Sequence, residues 1–96
     1  MKVTIRTDRP IFSGHRTVSF TLDENYEPSG KSKEEFFTTH YSEDNLWSIV
    51  YEPSDGTLCE MEFVAEGFSR SLEPVKGLIW VNDAIDSDFL FTVSIN

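Results

Sequence analysis

A chain of 96 residues and 11.0 kDa forms one domain, covering residues 1–96. Its net charge of −9 has the wrong sign for direct contact with nucleic acid or an anionic membrane, and it favours basic partners. The charge is uneven: residues 1–33 carry six basic and four acidic groups, net +2, whereas 34–96 carry two basic and thirteen acidic, net −11. Cys59 is the only cysteine, so no internal disulfide is possible, and an unpaired thiol fits a reducing compartment. The opening MKVTIRTDRP has no apolar run of the signal-peptide kind, and no stretch approaches the roughly 20 apolar residues of a membrane span. The expectation is a cytoplasmic protein, or one in a host cytoplasm if phage-encoded.

Lys2–Thr7 alternates, with Val3 and Ile5 on one face, as a half-buried strand does. Asp8–Gly14 holds Arg9-Pro10 and Ser13-Gly14 and reads as a loop, with Ile11 and Phe12 folding back onto the sheet edge. Arg16–Leu22 alternates again, with Val18, Phe20 and Leu22 inward, and forms a hairpin with the first strand. Asp23–Lys33 has no periodicity and is broken by Pro28 and Gly30, so it is a long loop. Within it Ser29-Gly30-Lys31-Ser32 matches only the end of a phosphate-binding loop, since position 25 is Asn where the motif needs Gly. A flexible basic loop tip is the simpler reading.

Glu34–Tyr41 is ambiguous. Ser32 and Glu35 have the spacing of a capping box that would start a short helix near 33–40. The aromatic and β-branched residues Phe36–Thr39, and the alternation of Phe37, Thr39 and Tyr41, favour a strand. Ser42–Asp44 then turns the chain into the best-defined segment, Asn45–Ala65.

Asp55-Gly56 marks a hairpin there, and two registers compete. A two-residue loop would mix Trp47, Ile49 and Tyr51 with Glu60 and Glu62 on one face. A three-residue loop with Gly56 left-handed pairs Pro53 with Thr57, Tyr51 with Cys59, Ile49 with Met61 and Trp47 with Phe63. That register gathers the apolar side chains on one face and leaves Glu52, Ser48, Glu60 and Glu62 on the other, among Leu46, Val50, Leu58 and Val64. Because a one-residue slip exchanges the faces, burial selects the three-residue loop.

Glu66-Gly67 suggests a bend, Phe68–Leu72 alternates, and Glu73–Gly77 with Pro74 reads as a turn. Leu78–Val81 is a short apolar strand covered on both faces, Asn82–Asp88 an acidic loop, and Phe89–Ile95 a strand with Phe89, Phe91, Val93 and Ile95 inward. Short strands with turns every eight to twelve residues predict an all-β fold: a small antiparallel sandwich or barrel of six to eight strands.

The chemistry-bearing candidates are few. His15 and His40 are expected at the surface, and no glycine-flanked serine elbow occurs, so no nucleophile–base set can be assembled and the chain reads as a non-enzyme without a cofactor. Asp83, Asp86 and Asp88 supply hard oxygens at short spacing, and a calcium-binding loop is the alternative they suggest. The acidic face carries more weight. Glu52, Glu60 and Glu62, joined by Glu43 and Asp44 at one end and Glu66 at the other, exceed what solubility requires and are interleaved with apolar residues. This pattern points to contact with a basic protein surface, such as a nuclease or nucleic-acid-binding complex, in the manner of phage anti-defence and bacterial immunity proteins. A viral structural or assembly subunit is the other alternative.

Overall fold

The computed structural model describes the backbone of residues 1–41, 43–64, 73–82 and 84–95, and the side chains of 1–41, 43–64, 77–82 and 92–94. Among the described residues there are seven strands: β1 (Lys2–Arg6), β2 (Thr17–Thr21), β3 (Phe36–Tyr41), β4 (Leu46–Tyr51), β5 (Cys59–Val64), β6 (Glu73–Val81) and β7 (Ala84–Ile95). They form one continuous antiparallel sheet in the order β2-β1-β7-β6-β5-β4-β3. The all-β class and the strand count agree with the sequence pattern.

The long β6–β7 ribbon divides the sheet. β1 pairs with the Thr92–Ile95 end of β7, while β5 pairs with the Gly77–Val81 end of β6. These two stretches lie at opposite ends of the ribbon, so a three-strand half, β2-β1-β7, is offset from a four-strand half, β6-β5-β4-β3. The sheet curls until its first and last strands meet: the ring of Phe20 on β2 stacks on that of Phe36 on β3, centroids 4.4 Å apart. The stack continues to Tyr51 on β4, and Phe12 meets Tyr51 edge-on. A shortest dimension of 22 Å is about twice the thickness of one sheet, as a sandwich-like fold requires.

Enclosed by this curl is a single core that includes Val3, Ile5, Phe12, Phe20, Leu22, Phe36, Trp47, Ile49, Cys59, Met61, Phe63, Ile79 and Val93. Each burying about 1.5–3 kcal/mol of transfer free energy, these side chains supply the main driving force. Cys59 is fully buried, as its register predicts. Phe12 goes further than the sheet edge expected for it and joins the core.

The central hairpin has the three-residue-loop register: Tyr51 faces Cys59, Ile49 faces Met61 and Trp47 faces Phe63. Gly56 has φ +88°, and its N–H donates to the Pro53 carbonyl. The ladder itself ends at Tyr51–Cys59, so Pro53 and Thr57 close the loop without a ladder pairing.

The strand favoured at 34–41 is borne out as β3, and the capping-box helix weighed against it near 33–40 does not form: Gly30–Glu34 is a single 3₁₀ turn, and β3 begins two residues later. Ser32 is diverted, its hydroxyl oxygen accepting the Thr21 N–H at 2.9 Å. This also ties the supposed loop tip to β2, reinforced by the Ser29 N–H donating to the Thr21 carbonyl. Next, Glu73–Gly77 is the start of β6 and not a turn. Among the described residues Pro74 pairs with Thr92 of β7 and has no partner on β5, as a proline in a strand requires on one side.

The acidic loop at 82–88 is likewise strand from Ala84 onward, since Val81 pairs with Ala84 and leaves only positions 82 and 83 between the strands. Finally, His40 points toward the inner side, half-buried, with its ring stacked on Trp47 at 4.4 Å and on Tyr26 at 4.9 Å. Phe36 sets this parity by stacking on Phe20, and His40 follows it at an even spacing. The expected bend at 66–67 and strand at 68–72 lie outside the described residues.

Candidate functional site

Alternation leaves a second surface on the four-strand half, and the pairings define it row by row. Phe37, Val50, Glu60 and Trp80 form one row across β3, β4, β5 and β6. Thr39, Ser48, Glu62 and Leu78 form the next, and Tyr41, Leu46 and Val64 the third. Phe37, Tyr41 and Val64 are 58%, 52% and 51% exposed, so three large apolar groups stand in water on one face. Val50, Leu46, Leu78 and Trp80 are half-buried between them.

Two of the predicted carboxylates sit inside this field. Glu60 and Glu62 are two residues apart on β5, so they project from the same face about 7 Å apart. Glu62 is exposed and Glu60 half-buried between Val50 and Trp80. Across the ladders Glu60 faces Val50 and Trp80, and Glu62 faces Ser48 and Leu78, so neither is directly opposed by a like charge.

The other carboxylates form a rim. Glu52 is exposed just beyond β4, its N–H donating to the Glu35 carbonyl at 2.8 Å. Glu43 and Asp44 are exposed in the β3–β4 turn, where Asn45 takes φ +52°. With His40 and Tyr41 they line a cleft of about 330 Å³. Glu66 lies outside the described residues. Thus Glu60 and Glu62 are brought together, and Glu52, Glu43 and Asp44 flank them at opposite ends.

The sequence reading missed Phe37, Tyr41, Leu78 and Trp80 as members of this face. Their signal was present but mute. Phe36 and Phe37 put an aromatic on either parity of β3, and Leu78–Val81 is apolar throughout and so shows no parity at all.

The calcium alternative rests on side chains outside the described residues. Asp86 and Asp88 lie on β7 backbone, Asp83 lies outside the described residues, and among the described residues no cluster of three His, Cys, Asp or Glu could hold a metal. Asn82 has a structural task instead: its side-chain oxygen accepts the Leu58 N–H at 2.9 Å, and its own N–H donates to the Leu58 carbonyl at 2.7 Å.

The Asp55 carboxyl is shifted by its surroundings. The Thr57 N–H donates to Asp55 Oδ1 at 2.9 Å and holds that carboxyl below its ordinary value near 3.8. The Ser13 hydroxyl assists from just beyond hydrogen-bonding geometry. This carboxylate fastens the hairpin loop and is not part of the outer face. Among the described residues no helix is long and apolar enough to cross a membrane. Comparison with protein-family models, with curated proteins and with solved structures gave no match.

Proposed function

We propose that this chain is a small non-enzymatic binding protein whose outer β3–β6 face docks on a basic protein surface and blocks it. One observation carries the reading: Glu60 and Glu62 stand within a field of exposed Phe37, Tyr41 and Val64, and none of the eleven residues of that face is a cation. An isolated acidic patch would serve solubility, and an isolated apolar one would be a liability. The combination has the anatomy of an interface, an apolar centre for affinity and carboxylates for approach and register.

The grid measures about 14 Å in each direction. That suits the centre of a standard-sized interface, with Glu43, Asp44 and Glu52 at the rim. A net charge of −9 raises the association rate with a cationic target and makes it fall with salt. Surfaces that bind phosphate backbones are the common cationic targets, so a nuclease or other nucleic-acid-binding protein is the class of partner proposed. Occlusion by a small acidic protein, as in phage anti-defence and immunity proteins, is the mechanism.

The test is a pull-down followed by titration of the recovered basic protein at rising salt. Glu60→Lys with Glu62→Lys is expected to slow association, and Phe37→Ala with Tyr41→Ala to speed dissociation. Affinity and rates unchanged in both double variants would reject this face as the contact.

A further inference from the structure

The sheet has two ends, and they are finished differently. At the β2 end, Thr21 is capped: its N–H goes to the Ser32 hydroxyl and its carbonyl accepts the Ser29 N–H. At the other end, among the described residues, β3 has a backbone ladder with β4 alone, while the Thr38 hydroxyl donates to the Tyr26 carbonyl at 2.8 Å. The Glu52 N–H donating to the Glu35 carbonyl sets the phase of the β3–β4 ladder, so the backbone groups of residues 35, 37, 39 and 41 point to β4. Those of Phe36, Thr38 and His40 therefore point away from it. A groove of about 450 Å³, lined by Glu27, Pro28, Lys33 and Phe36–Thr39, keeps space open beside this edge.

Phe36–Tyr41 contains no charge and no proline, the usual devices that keep an edge strand from pairing. In a chain of net charge −9 it is a neutral strip, where two copies can meet with least repulsion. Antiparallel pairing also keeps the acidic end of the strip, Glu43 and Asp44, away from the same end of the second copy. Pairing about a two-fold axis at Thr38 sets Phe36 opposite the second copy's His40. It also carries the Lys33 end of each copy toward the Glu43 end of the other. Parallel pairing would place like ends together.

We infer that β3 is a homodimer edge, a second copy adding its own β3 antiparallel to form a closed two-fold pair. The outer faces of the two copies then run on from one another, and Phe37 of each gains a neighbour in Thr39 of the other. This inference does not rest on the proposed basic partner, and salt separates the two. Dimerisation strengthens with added salt, because screening removes the repulsion between two acidic molecules, whereas docking on a basic protein weakens.

Sedimentation velocity from micromolar to millimolar protein, at low and high salt, reads the outcome. A reversible monomer–dimer equilibrium that tightens with salt is expected. Thr38→Pro removes an edge donor and should weaken it about tenfold or more, whereas Thr38→Val, which loses only the hydroxyl bond to the Tyr26 carbonyl, should not, with circular dichroism confirming a retained fold in both. Lys33→Glu, at an exposed position, should weaken the dimer too, and Lys33→Glu with Glu43→Lys should restore it. A monomer under all conditions, a dimer that loosens with salt, or a dimer indifferent to both Thr38→Pro and Lys33→Glu would overturn the inference.

Discussion

Gly77 offers the sharpest test of how the two halves of the sheet are joined. It lies on β6 opposite Phe63 of β5 and Phe89 of β7, where the four-strand half begins. A Cβ built there would collide with the Glu62 carbonyl oxygen and come within 2.9 Å of the Phe63 Cβ. Both obstacles are backbone or backbone-bound, so no flexible side-chain end can swing aside and β5 itself must move. Gly77→Ala is therefore an overpacking change without a nearby void, expected to cost about 1–3 kcal/mol. In a chain of this length that lowers Tm by roughly 4–8 °C per kcal/mol.

Gly56→Ala is the matched control. Nothing lies within 4 Å of its added Cβ, so its cost is the left-handed backbone alone, about 1–2 kcal/mol. Gly56→Asn should recover part of that loss, because Asn tolerates this conformation, while Gly77→Asn should be worse than Gly77→Ala. Thermal melts followed by circular dichroism measure all four. A Tm for Gly77→Ala within a degree of the parent would refute the close approach of β5 and β6 at this point.

Ile49→Ala, at a fully buried position between Thr38 and Met61 in register, should lose about 2–5 kcal/mol in urea titration. Asn82→Gly should lose about 1 kcal/mol for the Leu58 hydrogen bond, and Asn82→Ala more, since Asn82 also takes φ +51°. Because the folded Asp55 carboxyl titrates below its ordinary value, its contribution is present above pH 4 or so and disappears as pH falls through the lowered folded value. Acid titration of Asp55→Asn should accordingly show a shallower loss of stability in that window. The Cys59 thiol, fully buried, should react with a disulfide reagent only at the rate of opening, which denaturant accelerates. Calcium should leave Tm unchanged, and a rise on its addition would return Asp83, Asp86 and Asp88 to consideration as ligands.

The legible parts of the sequence were those where one parity is apolar and the other is not. Val3 and Ile5, Phe20 and Leu22, and the Trp47–Phe63 hairpin all show this contrast, and burial followed it. Where the contrast fails, so did the reading. Phe36-Phe37 offers both parities of β3 an aromatic, and the choice fell to a long-range contact, the stack on Phe20, which no local pattern encodes. Pro74 looked like a turn because its place in a strand depends on a pairing with Thr92, 18 residues away. The aspartates of 82–88 looked like a loop because charge was weighed above the short hairpin connection at Asn82. The candidate site was half visible for the same reason: Glu60 and Glu62 were placed by their own hairpin, while Trp80 and Phe37 needed the strand order.

The offset β6–β7 ribbon also sets the order in which the chain can fold. β3, β4 and β5 are sequence neighbours and pair successively, so that part of the four-strand half can assemble from local contacts. β1 lies beside β7, which is made much later: Val3 pairs with Ile95, and the Thr92 hydroxyl donates to the Arg6 carbonyl 86 residues away. Val3, Ile5, Phe20 and Leu22 must therefore wait for β7 before the core can close over them. High contact order of this kind slows folding into the millisecond-to-second range and leaves an apolar hairpin exposed meanwhile. During synthesis, the β1–β2 hairpin is the segment that most needs shielding until the ribbon is complete.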